Sequence, residues 1–237
     1  MFEVIKKGLE TSLQDYPGRV GFLNQGFPPS GPMDSWSFRL ANLVVGNNAE
    51  EAALECQFMG PTLKFETDHV ISICGGDMQP KIDGVAIPLW ESILIKTGQT
   101  LELSFCLTGA RTYIAFSGGI KSDLWLGSKS TFHKARIGGI EGSAIKDNQK
   151  VQLGISVGQA GKKIKKEVIP KMSNDGLWEI EVVRGPNDDW LDNNGYEIFL
   201  AAKWKLQARS DRTGFRLDGP LLTFTEKATD KSPEHGY

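Results

Sequence analysis

The sequence predicts a mainly β protein, a barrel or sandwich with a few short helices. Three observations carry that expectation. Short apolar or alternating runs, such as Ile71-Ser72-Ile73-Cys74 and the stretch 111–117, recur between turn residues. Lys81-Ile82-Asp83-Gly84-Val85-Ala86-Ile87 reads as a hairpin with Asp-Gly at its turn. Helical spacing is confined to two short segments near residues 35–45 and 49–54.

Taken in order, residues 2–6 read as a first strand, because they lack the long apolar core and cleavage site of a signal peptide. Residues 11–34 form a turn-rich loop in which Gly18, Gly21, Gly26 and Gly31 alternate with Pro17, Pro28, Pro29 and Pro32. Glycine opens positive φ and proline closes φ, so such a loop is held in one shape. Asp34 or Ser35 then caps a helix with Trp36, Leu40, Leu43 and Val44 as its apolar face and Gly46-Asn47 as its stop. A second short helix is expected at residues 49–54. Further strands are expected near 70–74, 80–87, 92–96, 100–106, 111–117, 150–155, 178–184 and 202–208, with a tight reversal at Gly98-Gln99.

The Gly- and Lys-rich stretch 156–176 divides the chain. We place a first domain at residues 1–160, a linker at 161–176 and the start of a second, truncated domain at 177–237, too short for a sizeable core of its own. A net charge of −2 over 237 residues is an ordinary soluble surface. No run approaches the ~20 apolar residues of a membrane helix, and no basic patch interleaved with aromatics points to nucleic acid. Cys56, Cys74 and Cys106 are far apart in apolar contexts, the usage of free thiols in a reducing compartment, so the expected location is cytoplasmic. His69, His133 and His235 have no metal-ligand spacing, and no metal is expected.

Several groups are candidates for chemistry. The loop carries Gln14, Asp15, Arg19 and Asp34, and rigid loops with polar side chains are where binding and catalysis concentrate. Glu55 sits in the apolar run Ala53-Leu54-Glu55-Cys56, where a carboxylate is either paired with an arginine or poised for acid–base work. Gly118-Gly119, Gly127-Ser128-Lys129-Ser130-Thr131 and Gly138-Gly139-Ile140-Glu141-Gly142 either form a backbone wall facing an anionic group or meander to close a barrel. Arg184, Arg209, Asp211, Arg212 and Arg216 either grip a carboxylate or lace a turn together.

In order, the motifs T-x-x-Q-D-x-x-G-R-x-G, S-G-P-M-D, A-N-x-x-V-G-N, A-A-L-E, G-P-T-L, R-x-Y-x-A-x-x-G-G-I, G-S-x-S-T, G-G-x-x-G, R-G-P and S-D-R-x-G-x-R-L-x-G-P span residues 11–220. This set resembles the biotin-dependent carboxyltransferase family, also called the allophanate hydrolase second-subunit family. The resemblance implies two cyclophilin-like β-barrel domains, the second incomplete here. It implies, first, the role of the C component in an ATP-dependent 5-oxoprolinase, a hydrolase making L-glutamate from 5-oxo-L-proline with its A and B components (the B component being KipI-like). The alternatives are carboxyl transfer from carboxybiotin to urea or a related amide, and non-enzymatic KipA-like antagonism of a KipI-like kinase inhibitor. On this reading no cofactor is bound directly. ATP is used by the complex, and biotin would ride on a separate carrier. Asp15, Asp34 and Glu55 are the catalytic candidates by motif position. Gln14, Arg19, Asn42, Gly118, Gly119, Ser128 and Ser130 are the substrate-binding ones. Thr213, Ser143, Asp147-Asn148 and His133 depart from the family's usual residues.

Overall fold

The computed structural model describes residues 1–173, 181–212 and 214–229. The chain divides into two compact units, Met1–Leu177 and Trp178–Tyr237. In the first, strands β1 (Phe2–Lys6), β4 (Thr62–Phe65), β6 (Lys81–Ile82), β7 (Val85–Ala86), β9 (Thr100–Glu102) and β11 (Lys150–Val151) form one sheet in the order β11-β1-β4-β9-β6-β7. Strands β2 (Glu10–Gln14), β3 (Ala53–Gln57), β5 (His69–Asp77), β8 (Ser92–Ile95) and β10 (Thr108–Phe116) form a second, in the order β2-β3-β10-β5-β8. Every pairing is antiparallel. The protein is mainly β, as the short strands predicted.

Strand alternation builds two hydrophobic layers. Leu13, Leu54, Cys56, Ile71, Ile73, Ile114 and Phe116 point inward to meet Phe2, Val4, Leu63, Phe65 and Leu101 of the six-stranded sheet. The opposite faces of the same central strands carry Ala53, Val70, Cys74, Tyr113 and Ala115, and helix α1 (Ser35–Val44) packs on them through Phe38, Ala41 and Val44. A sheet covered on both faces reads as continuous apolar sequence, and His69–Asp77 does. Burial pushes the Cys56 thiol up to about 12. Cys74 is raised too, by burial.

Three expectations need correction. Residues 49–54 hold no helix: a turn closes from the Glu51 amide to the Asn48 carbonyl, and β3 begins at Ala53. Helix propensity of Ala and Leu loses there to a slot between β2 and β10 that demands apolar residues on both faces. The α1 helix forms, but its buried face is Phe38-Ala41-Val44, while Trp36 and Leu43 are half exposed. Trp36 is drawn instead to the chain that follows β11, where its indole N–H donates to the Val168 carbonyl at 2.7 Å. The turn-rich loop starts after residue 14, because Glu10–Gln14 is strand β2. The Asp83-Gly84 hairpin forms with φ of 49° and 81°, the two positive values of a type I′ turn.

The second unit contains α2 (Asn193–Ala201), β12 (Lys205–Leu206), β13 (Leu217–Asp218) and α3 (Glu226–Thr229). Asp192 caps α2 by accepting from the Gly195 amide at 2.7 Å. The strand expected at 178–184 lies partly outside the described residues, and 181–184 are not strand. The strand expected at 202–208 shortens to Lys205–Leu206. Part of the arginine cluster laces a turn: Arg216 donates to the Arg209 carbonyl, and the Asp211 and Gly214 backbones bond reciprocally, whereas Arg184 lies over the Tyr196 ring at 4.2 Å.

Candidate functional site

Three hydrogen-bonded nodes fix the opening loop, the start of α1 and the glycine turns. The first centres on Asp15, at the end of β2. Its carboxylate accepts from the Ser128 hydroxyl at 2.5 Å, the Lys129 amide at 2.7 Å and the Ser130 hydroxyl at 2.5 Å. Its own amide donates to the Ser130 oxygen. A carboxylate receiving three donors is a strong local clamp, because each bond is charge-assisted. Asp15 thereby ties residue 15 to residues 128–130, the Ser-Lys-Ser of G-S-x-S-T.

Arg19 runs beneath this clamp with no solvent exposure. Its Nε donates to the Trp125 carbonyl at 3.2 Å and its Nη2 to the Ser130 carbonyl at 2.9 Å, while the guanidinium lies 4.9 Å from the Trp125 ring centre. Burial pulls the Arg19 guanidinium below its ordinary value, with Asp15 opposing the shift. Gly138 makes the crossing possible. It sits at a φ of 65°, and a Cβ there would lie 2.1 Å from the Ser130 carbonyl and 2.8 Å from Arg19 Nη2. Two buried polar atoms, Nη1 of Arg19 and Oε1 of Gln14, have no hydrogen-bond partner among the described residues. Gln14 spends its nitrogen on the Ser12 hydroxyl.

The second node anchors the start of α1. Glu55 accepts from the Met33 amide at 2.8 Å and from the Tyr113 hydroxyl at 3.0 Å, and that hydroxyl accepts from the Asp34 amide at 2.7 Å. Arg111 stands 3.7 Å from the other Glu55 oxygen. Of the two alternatives for Glu55, pairing with an arginine is the one seen. Burial, with Glu55 next, raises the Tyr113 hydroxyl. Asp34 itself caps α1, accepting from the Ser37 amide and hydroxyl.

The third node secures the glycine turns. Asn42 donates to the Glu51 carbonyl, and its oxygen accepts from Asn47, whose own oxygen accepts from the Gly118 amide at 2.8 Å. The Gly119 amide donates to the Phe116 carbonyl. These two amides are therefore spent within the chain, and Gly118 and Gly119 shape a wall rather than offer donors. A Cβ on Gly119 would lie 2.6 Å from the Glu51 carboxylate, which reaches Lys129 Nζ at 2.9 Å.

The residues nominated by sequence thus fall together. Asp15, Arg19, Ser128 and Ser130 share the first node. Asp34 and Glu55 share the second, and Asn42 leads to Gly118 and Gly119 through the third. Sequence reasoning misses Lys129, Glu51, Tyr113 and Trp125. Lys129 lies between the two nominated serines, and Glu51 precedes the quoted A-A-L-E, so adjacency to a motif is the available signal. Among the described residues, no group of three His, Cys, Asp or Glu side chains is arranged to hold a metal ion.

Residues 25–237 match the family model of the carboxyltransferase domain, subdomain A and B. The chain belongs to the carboxyltransferase domain family. Within that family it is similar to the urea amidolyase of Saccharomyces cerevisiae, at 39% identity over 92% of this chain and 12% of that protein. It is similar also to the C component of the Escherichia coli 5-oxoprolinase, at 33% identity over 98% of this chain and 72% of that one. Its backbone matches the crystal structure of the Kluyveromyces lactis urea amidolyase with a TM-score of 0.87 and 39% identity, over 94% of this chain and 14% of that one. The carboxyltransferase chain therefore spans about an eighth of the yeast urea amidolyase it matches. These relatives are enzymes or enzyme components by name, and a carboxyltransferase-type role follows for this domain. Among the described residues, no helix is long and apolar enough to cross a membrane.

Proposed function

We propose that this chain is the carboxyl-transferring component of an ATP-using assembly, and that it transfers a carboxyl group to the nitrogen of a small amide of the urea class. The observation that carries this reading is the joint 39% identity and TM-score of 0.87 to a urea amidolyase. Carboxybiotin on a separate carrier would supply the carboxyl group, its N–C bond breaking as the new N–C bond to the amide forms, and biotin would leave with the proton that the amide nitrogen loses. The donor set suits such chemistry: Arg19 Nη1 is an unspent donor and Gln14 Oε1 an unspent acceptor, the complement that an amide or a ureido group requires. Both atoms are sealed from solvent.

In this proposal Asp15 is the group that sets the site. Clamped by Ser128, Lys129 and Ser130, it fixes where the loop and the glycine turns meet, and Arg19 props that junction from beneath. Fixed dipoles and charges aimed at a reacting carboxyl group cost no reorganisation during reaction. Asp34 and Glu55 hold the far end of the loop, and Asn42 holds the wall at Gly118 and Gly119.

A second reading is the C component of an ATP-dependent 5-oxoprolinase, working with the A and B components of that enzyme. It is favoured by the 33% identity across 98% of the chain to the bacterial protein of that name. Both substrates present a carbonyl flanked by N–H. The test is one assay with two substrates. The chain, purified with the proteins encoded beside it, is given ATP and bicarbonate with either urea or 5-oxoproline. Avidin-sensitive incorporation of labelled bicarbonate with urea supports carboxyl transfer. Avidin-insensitive glutamate release supports the 5-oxoprolinase reading. An assembly active on neither refutes a small-amide substrate.

A further inference from the structure

Arg19 Nη1 and Gln14 Oε1 are sealed from solvent, so a substrate reaching the candidate site meets other groups first. Three segments of that site converge on Glu51 and Lys129. The Tyr16 amide of the opening loop donates to the Glu50 carbonyl at 3.2 Å, which ties the residue before Glu51 to that loop. The Lys129 amide donates to the Asp15 carboxylate at 2.7 Å, and the Lys129 ammonium reaches Glu51 Oε1 at 2.9 Å. Gly119, at a φ of 73°, brings the glycine wall against the same carboxylate, 2.6 Å from where a Cβ would stand.

Neither member of this ion pair is saturated by it. An ammonium carries three N–H donors. One goes to Glu51 Oε1 and one to the Ile120 carbonyl at 3.3 Å, and the third has no partner among the described residues. Glu51 Oε1 accepts also from the Ala52 amide at 3.0 Å, whereas Oε2 has no partner among the described residues. Both side chains keep a face to solvent, Lys129 at 23% and Glu51 at 32% exposed. In an ordinary surface ion pair two flexible side chains meet, and holding them together costs entropy. Here the Ile120 carbonyl and the Ala52 amide pin each partner to main chain, so a spare donor and a spare acceptor stand fixed side by side.

We propose that this spare donor and spare acceptor bind the H–N–C=O edge of the substrate amide. Lys129 donates to the carbonyl oxygen, and Glu51 Oε2 accepts from the N–H. The pair thereby selects amides that retain an N–H beside the carbonyl and fixes which way that edge faces, because a site built to bond an N–H rejects an analogue lacking it. The inference rests on the small-amide reading above, and it holds for urea and for 5-oxoproline alike.

The probes are pyrrolidinone and N-methylpyrrolidinone, lactams that differ in that N–H, used as competitors in the two-substrate assay of the purified assembly. Pyrrolidinone is expected to compete with the amide substrate, and the N-methyl lactam to compete at least ~10-fold more weakly. Glu51→Gln and Lys129→Met are each expected to raise the substrate KM and the pyrrolidinone inhibition constant at least ~10-fold. In Glu51→Gln the Lys129 ammonium and the Ala52 amide hold the carbonyl oxygen of the new side chain, which turns its amino group toward the substrate N–H. That variant is therefore expected to narrow the difference between the lactams as well. Unchanged melting temperatures establish that the variants fold, and if Lys129→Met unfolds, the isosteric Glu51→Gln decides alone. An unchanged KM and inhibition constant in Glu51→Gln, or no difference between the lactams in the wild type, overturns the pair and leaves the small-amide reading standing. A loss of kcat with both constants unchanged overturns it too, since that marks a structural brace. A wild-type assembly active on neither substrate overturns the small-amide reading and the pair with it.

Discussion

Asp15 accepts three hydrogen bonds from residues more than a hundred positions away in sequence. Asparagine at that position keeps the shape but removes the charge and presents an N–H to three donors. Hydrogen bonds to a charged group are each worth about 1.5–3 kcal/mol, and the remaining oxygen retains part of that. Asp15→Asn is expected to lower unfolding free energy by about 2–3 kcal/mol, read from urea denaturation. An unchanged midpoint would mean that the clamp is not formed in solution. His69 is a second decisive residue. It is buried, and its ring nitrogen donates to the Ser117 carbonyl at 2.8 Å. Burial dominates that hydrogen bond and holds the imidazole below its ordinary 6.5. As pH falls through 6.5 the unfolded chain takes up a proton that the folded chain refuses, so stability declines on the acid side. Denaturation midpoints at pH 7.5 and 5.5 should show this decline, and His69→Gln should lessen it. A slope identical in the variant would assign the acid sensitivity elsewhere.

At the scale of elements, the glycine turn at residues 138–142 depends on the absence of a side chain. Gly138→Ala asks alanine to hold a φ of 65° with its methyl against the Ser130 carbonyl. Left-handed strain alone costs about 1–3 kcal/mol, and the neighbour is backbone that cannot swing away. The variant should lose at least about 2 kcal/mol, with Trp125 fluorescence shifting as Arg19 leaves its ring. A stability within about 0.5 kcal/mol of wild type would contradict the crossing of Arg19 under residue 130. Elements differ in how far their sequence discloses them. The Asp83-Gly84 hairpin is legible because a local turn decides it. Helix α1 is legible from its cap and stop, but its buried face is not: Trp36 looks like a core residue by spacing, and only the distant Val168 carbonyl explains its exposure. Strand β3 reads as helix because slots between neighbouring strands override the helix propensity of Ala52-Ala53-Leu54.

At the scale of the whole molecule, motifs far apart in sequence are tied by side-chain hydrogen bonds rather than by main-chain pairing alone. Asp15 with Ser128, Glu55 with Met33, and Asn47 with Gly118 join segments 22 to 113 residues apart. The sequence can nominate such residues, since each is a polar group in an apolar or glycine-rich setting. It cannot show that the Gly118 and Gly119 amides are spent or that Arg19 is sealed, because both depend on long-range partners. Family membership adds a carboxyltransferase-type role, and the proposed amide chemistry rests on the loop being one wall of the substrate cleft. The most direct measurement of that claim is kcat/KM of the purified assembly carrying Asp15→Asn, taken well below the melting temperature of the variant. A fall of at least ~10-fold with the assembly intact is the expected result. Wild-type turnover with the clamp removed would contradict it.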